Sequence, residues 1–299
     1  MKSEQTKYLD PKVLSKLGNM ELVARCAVEG LFSGLHPSPF HGFSVEYSDH
    51  RAYQPGDELK FLDWKVFGRS DKLYIKQFQQ ETNLFVYLLL DSSLSMSFRG
   101  GGSVSKLDYG SYLAAALSYL MLGQGDCVGL TTFAEKVRSR VPPRSRRTHL
   151  NVILTALGQN RPEGRTRLAD VLHTLAEMSH RRGLVILISD LLDDQDEIGK
   201  GLAHLKYLNH DVIIFHTLDP QERFLDYEGL IEFVDVESRD RLRTFPASLK
   251  DEYRRRVQEF IDHVAQTAGK SAIDYCLLDT SEPLDKALMT YLGKRKRLM

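Results

Sequence analysis

Cysteine is scarce in this chain of 299 residues: Cys26, Cys127 and Cys276 stand far apart, at no metal or redox spacing. That excludes a disulfide framework and favours a reducing compartment. An excess of charge of one sign is also lacking. Forty Lys and Arg balance forty Asp and Glu, so no overall field draws the protein onto nucleic acid or an anionic membrane. Long apolar runs are missing too: the longest, 84–90 and 184–188, fall far short of the roughly 18–20 residues that span a bilayer. The opening MKSEQTKYLDPK has no apolar core of a signal peptide. A soluble cytoplasmic protein is therefore expected. Nucleotide and hydrolase signatures are absent as well: GGGSVSK lacks the Gly-Lys-Ser/Thr ending of a P-loop, and no G-x-S-x-G, H-E-x-x-H or G-x-G-x-x-G occurs.

What is present reads as a globular chain. Hydrophobic residues make up 42% and charged residues 27%, and the length suits one large domain or two ordinary ones. Apolar residues from Val13 to Leu31 recur at helical spacing, which predicts N-terminal helices within 1–39. Residues 40–82 alternate apolar and polar positions around the turn Gln54-Pro55-Gly56-Asp57, predicting a small β unit. The rhythm then changes. LFVYLLL and LVILIS are continuously apolar and run into Asp91 and Ser189-Asp190, as strands buried on both faces of a parallel sheet do. Further strands are expected at CVGLTTF, DVIIFHTL and IDYCLL, with helices between them and a β-rich stretch at 229–245. Residues 83–299 are thus predicted to form an open, mostly parallel α/β sheet of Rossmann-like type with helices on both faces.

Ligands of such sheets bind at the carboxyl ends of the strands. In Asp91-Ser92-Ser93-Leu94-Ser95, alternate positions can turn three oxygen-bearing side chains toward one point; Gly164-Arg165-Thr166 adds a hydroxyl before a helix, and Asp190 ends a second strand. Two carboxylates and three hydroxyls suit a hard divalent cation such as Mg²⁺, with Mn²⁺ or Ca²⁺ as alternatives. Held mainly by neutral hydroxyls, the cation would stay electrophilic and offer an open position to an incoming Asp or Glu carboxylate.

This pattern resembles the metal-ion-dependent adhesion site of von Willebrand factor A domains, residue by residue at Asp91, Ser93, Ser95, Thr166 and Asp190. The resemblance implies that the hydroxyls ligate directly or nearly so and that the aspartates often act through water. Upstream, Arg51, Tyr53, Gly56, Asp57, Asp63, Trp64 and Arg69 follow in an order similar to that of the bacterial domain of unknown function 58 family. That resemblance implies a partnership with MoxR-type AAA+ ATPases and a role in assembling or activating other complexes. Two departures stand out: this chain has no N-terminal membrane helices, and Leu191 follows Asp190 where many A domains place glycine.

Simpler roles are expected elsewhere. Trp64 should pack in a core, with Arg51 or Arg69 pairing Asp57 or Asp63. The basic runs at Arg138, Arg140, Arg144, Arg146 and Arg147 and at Lys294, Arg295, Lys296 and Arg297 should be solvated faces or loops. Asp193, Asp194, Asp196 and Glu197 should favour the start of a helix, and His36 and His41 should be ordinary polar residues. Three functions fit these features. The first is a non-enzymatic, cation-dependent binding module that partners a MoxR-type ATPase and a client presenting a carboxylate. The second is an Mg²⁺-dependent phosphoryl-transfer enzyme, although Ser93 stands where aspartyl phosphatases place a second acid. The third is a metal-free scaffold of the same fold.

Overall fold

A computed structural model describes residues 20, 22–25, 27–28, 49–54, 62–70, 72–77, 84–100, 104–178, 181–236 and 239–298. The backbone divides into two compact units, residues 37–83 and residues 1–36 with 84–299. In the smaller unit, β1 (Asp49–Ala52) and β2 (Tyr74–Gln77) pair antiparallel, and α1 (Trp64–Ser70) lies between them in sequence. Asp63 starts α1: its carboxylate accepts the Val66 N–H at 3.3 Å, as a helix N-cap does. Trp64 does not enter a core. It sits on the first turn of this helix with 63% of its surface exposed, touching only the Phe67 ring edge-on among the aromatic residues described. The side chain of Arg51 and residues 55–61, which include Gly56 and Asp57, lie outside the described residues, as do His36 and His41.

The larger unit is built on six strands: β3 (Phe85–Asp91), β4 (Cys127–Phe133), β5 (Val137–Arg144), β6 (Leu184–Ser189), β7 (Asp211–Leu218) and, after the small hairpin β8 (Ile231–Val234) and β9 (Arg241–Thr244), β10 (Asp274–Asp279). Their order is β10-β7-β6-β3-β4-β5. All neighbours are parallel except β5, which runs antiparallel at the edge beside β4. Between them come α2 (Lys106–Gly123), α3 (His149–Gln159), α4 (Leu168–Met178), α5 (Gln195–Tyr207), α6 (Pro220–Phe224) and α7 (Pro246–Lys270), and α8 (Asp285–Leu298) follows β10.

The period-two alternation of strand side chains separates two cores. Val86, Leu88 and Leu90 face α2, α3 and α8, and the helical residues Val23, Ala24, Ala27 and Val28 join this same core. Leu89, Val185 and Leu187 face the other way, against α4, α5 and α7. Both faces of the central strands are covered, which is why they read as unbroken apolar runs.

The first basic run is a solvated face, its five arginines all exposed, whereas Lys294 of the second is not. Residues 138–144 form the outer strand β5, where arginines and the Pro142-Pro143 pair are compatible with an edge and discourage further pairing. Lys294 is buried at the end of α8, with Nζ 3.2 Å from Asp211 and 3.0 Å from Asp274. The acidic run behaves as expected: Asp194 caps α5, accepting the N–H groups of Asp196 and Glu197 at 3.0 Å.

Candidate cation site at the switch point of the sheet

The strands β3 and β6 are adjacent, and the chain leaves them toward opposite sides of the sheet. This is the topological switch point, where a crevice opens beyond the carboxyl ends. Asp91 and Asp190 stand there, both fully buried.

Three loops meet around them. The loop after β3 continues into a single 3₁₀ turn, Leu94–Ser97. It is tied to the segment before α4 by two backbone hydrogen bonds, Leu94 N–H to Gly164 O at 2.9 Å and Glu163 N–H to Ser92 O at 2.9 Å. Gly164 has φ +74°, a conformation glycine adopts without penalty, and it turns the chain toward Thr166. The loop after β6 is tied in by Asp193, which accepts the Leu168 N–H at 2.7 Å. Leu191 adopts φ +56° there. The left-handed backbone that glycine would supply is thus present without glycine, at a strain of about 1–2 kcal/mol. The fully buried Leu191 side chain, packed among α4 and α5 residues, offsets that strain.

The carboxylates are already engaged. Asp91 accepts the Ser93 N–H at 2.9 Å through Oδ1 and the Ser189 hydroxyl at 2.7 Å through Oδ2. Asp190 accepts Leu192 N–H at 3.3 Å through Oδ1 and Lys106 Nζ at 2.8 Å through Oδ2. The hydroxyls are less committed: Ser93 and Ser95 share one hydrogen bond of 3.0 Å between them. Thr166 is 8% exposed, and its Oγ1 is buried with no partner among the described residues. A buried hydroxyl of this kind calls for a partner, which a water or a bound ion can supply.

Electrostatics point the same way. Lys106 extends fully buried from the first turn of α2 and bridges Asp190 and Glu222, whose Oε1 lies 2.6 Å from Nζ. Burial works against its charge, yet the Asp190 and Glu222 carboxylates hold its pKa above the ordinary lysine value. Asp190 and Glu222 thus share one ammonium, and Asp91 lies close enough to Asp190 to feel its charge. Burial first, and then the neighbouring Asp190 charge, raises Asp91 to about 7. A divalent cation would offset this excess of negative charge, so the residues present fit one. Among the described residues no group of three or more His, Cys, Asp or Glu could hold a metal; at this site the ligands would have to be chiefly hydroxyls. On the far side of Asp190, burial lowers His216 to about 4. Neutral His216 donates from Nε2 to the Asp190 carbonyl at 3.0 Å and accepts the Tyr275 hydroxyl at 2.7 Å, fixing the strand end.

Of the residues singled out from sequence, Asp91, Ser93 and Ser95 form one hydrogen-bonded loop, Asp190 lies beside it, and the Thr166 segment is laced to it through the backbone. Sequence reasoning missed Lys106, Glu222, Ser189 and His216. The Asp-Pro-Gln-Glu stretch at 219–222 does signal a capping box, and Glu222 closes it onto the Asp219 N–H at 3.1 Å. Nothing local, however, marks the Glu222 partner across the site.

The family described as "Protein of unknown function DUF58" matches residues 49–263. The chain belongs to that family. Uncharacterized proteins of Mycobacterium bovis and Mycobacterium tuberculosis are 28% identical to it over 293 residues, which is 96% of this chain and 91% of theirs. The uncharacterized protein YeaD of Bacillus subtilis is 32% identical over 104 residues, 35% of this chain and 24% of its own. Among solved structures, BatB from Bacteroides thetaiotaomicron aligns at a TM-score of 0.49 and 15% identity, over 72% of this chain and 99% of that one. Among the described residues of this DUF58 protein, no helix is long and apolar enough to cross a membrane.

Proposed function

We propose that the chain is a non-catalytic, divalent-cation-dependent protein-binding module of the von Willebrand factor A type. It works in the cytoplasm as adaptor or partner of a MoxR-type AAA+ ATPase in the assembly or activation of protein complexes. The observation that carries this reading is the donor set at the switch point. Asp91 and Asp190 each already accept two hydrogen bonds, while among the described residues the Thr166 hydroxyl has no partner and the Ser93 and Ser95 hydroxyls bond one another within the same loop. Ser93, Ser95 and Thr166 would hold Mg²⁺ or Mn²⁺ directly, with Asp91 and Asp190 acting through water. When bound, the cation supplies an electrophilic position for a carboxylate of a client or of the ATPase. The strand order, with its antiparallel edge strand β5, supports the von Willebrand factor A assignment. The ATPase enters through the resemblance of the segment from Arg51 to Arg69.

A calorimetric titration of the full chain with Mn²⁺, followed by a MoxR-type ATPase from the same organism, tests the reading. Saturable Mn²⁺ binding and cation-dependent capture are expected, and both should be lost in Asp91→Ala. Binding of both unchanged in that variant overturns it. One observation favours a metal-free scaffold instead, the Lys106 ammonium already paired with Asp190; on that reading the wild-type chain binds no Mn²⁺.

A further inference from the structure

Lys106 occupies an unfavourable place for a lysine. It is the first residue of α2, at the positive end of the helix dipole, and its side chain is fully buried. Its ammonium touches no hydroxyl of the donor set. It instead joins Asp190, from the β6 end, to Glu222 in α6, 116 positions away from Lys106 in the chain. Glu222 is in turn fixed by its capping bond to Asp219, and Asp219 is held by the Gly100 N–H at 3.1 Å. The ion pair is therefore built into the fold and is not a flexible surface contact.

We propose that Lys106 sets the charge of the cation site so that the loaded site accepts an anionic ligand. The inference rests on the cation-site reading above and deepens it. With all three carboxylates ionised, Asp91, Asp190 and Glu222 together with the Lys106 ammonium that bridges two of them carry a formal charge of −2, and a divalent cation brings the cluster to neutrality. A neutral cluster with an open cation position binds a carboxylate. With Lys106 removed, the same cluster keeps a negative charge after loading: it grips the cation more tightly and repels the carboxylate. Lys106 is thus a specificity-determining residue for acidic partners, and it holds the intrinsic cation affinity down so that cation and acid bind cooperatively.

The test uses the full chain with Mn²⁺ alone, read by the electron paramagnetic resonance of free Mn²⁺. Acetate follows as a minimal carboxylate, read by the loss of water-proton relaxation at bound Mn²⁺. Lys106→Met should tighten Mn²⁺ by about tenfold and weaken acetate by about tenfold. Glu222→Gln, which removes a negative charge from the same cluster, should shift both in the opposite sense. A merely damaged site loses Mn²⁺ affinity, so tighter binding is a result that a structural role does not produce. Should Lys106→Met fail to give a cooperative thermal melt, the tighter acetate binding expected of Glu222→Gln, which a damaged site does not produce, decides by itself. Mn²⁺ affinity unchanged in the folded variants, or moved in the same direction by both, overturns the inference while leaving the cation site standing. A wild-type chain that binds no Mn²⁺ overturns the cation-site reading and this inference with it.

Discussion

Replacing Thr166 by valine separates a cation site from a structural loop, because the expected effect changes sign with the solvent. The Thr166 side chain is nearly buried and its hydroxyl has no hydrogen-bond partner among the described residues. A buried hydroxyl left unpaired costs about 1–3 kcal/mol. Valine keeps the shape and removes the hydroxyl, so in the presence of a chelator Thr166→Val should be more stable than wild type by about 1–2 kcal/mol. For a domain of roughly this size that is a rise in Tm of about 2–6 °C. In Mg²⁺ the order should reverse. A cation at about 100 times its Kd stabilises the native state by roughly 2.7 kcal/mol, and valine cannot supply the third hydroxyl that holds it. Differential scanning calorimetry of both proteins, with chelator and with Mg²⁺, reads the crossing directly. A variant less stable than wild type in chelator would mean that the hydroxyl has a partner after all. A variant retaining the whole Mg²⁺-dependent gain would remove Thr166 from the site.

Two further outcomes test the frame that presents the site. A Cβ on Gly183, just before β6, would stand 2.2 Å from the Phe85 carbonyl oxygen; Gly183→Ala should therefore destabilise by about 2–3 kcal/mol, seen as a lower denaturant midpoint with unchanged slope. His149 donates from Nε2 to the Val128 carbonyl at 3.0 Å, and burial holds its pKa below the ordinary histidine value. The unfolded chain then binds the proton first, so the His149 contribution is full above about pH 6.5 and fades as the pH falls below it. His149→Gln should flatten the wild-type fall in Tm between neutral and mildly acidic pH, and an identical pH slope in the two proteins would refute this.

The parts of the fold legible in the sequence are those whose cause is local. The strands from Phe85 to Asp91 and from Leu184 to Ser189 announce themselves because both of their faces are covered, which leaves unbroken apolar runs. Strand β5 stayed hidden for the converse reason: as an edge strand it exposes its arginines and contains two prolines, so Val137–Arg144 carries neither an apolar run nor clean alternation. Trp64 misled because a single large aromatic suggests a core, whereas its place on the first turn of α1 leaves it exposed. The left-handed backbone at Leu191 could be suspected from the glycine that often stands there, but only the packing of its side chain shows how leucine is tolerated.

The sequence by itself singled out the oxygen donors, since Asp91, Ser93, Ser95 and Asp190 follow from where apolar runs stop and loops begin and Thr166 from its place just before a helix. The tertiary structure alone decided how those donors are charged. Lys106 and Glu222 lie in segments whose local signals are only those of helix starts. They become partners because α2 begins beyond the carboxyl end of β3 and α6 beyond that of β7, at the same edge of the sheet as Asp190. Charge interactions depend on distance in space and on exclusion of water, and neither is written in residue order. That is why a chain balanced over its whole length can still gather Asp91, Asp190, Glu222 and Lys106 at one end of the sheet.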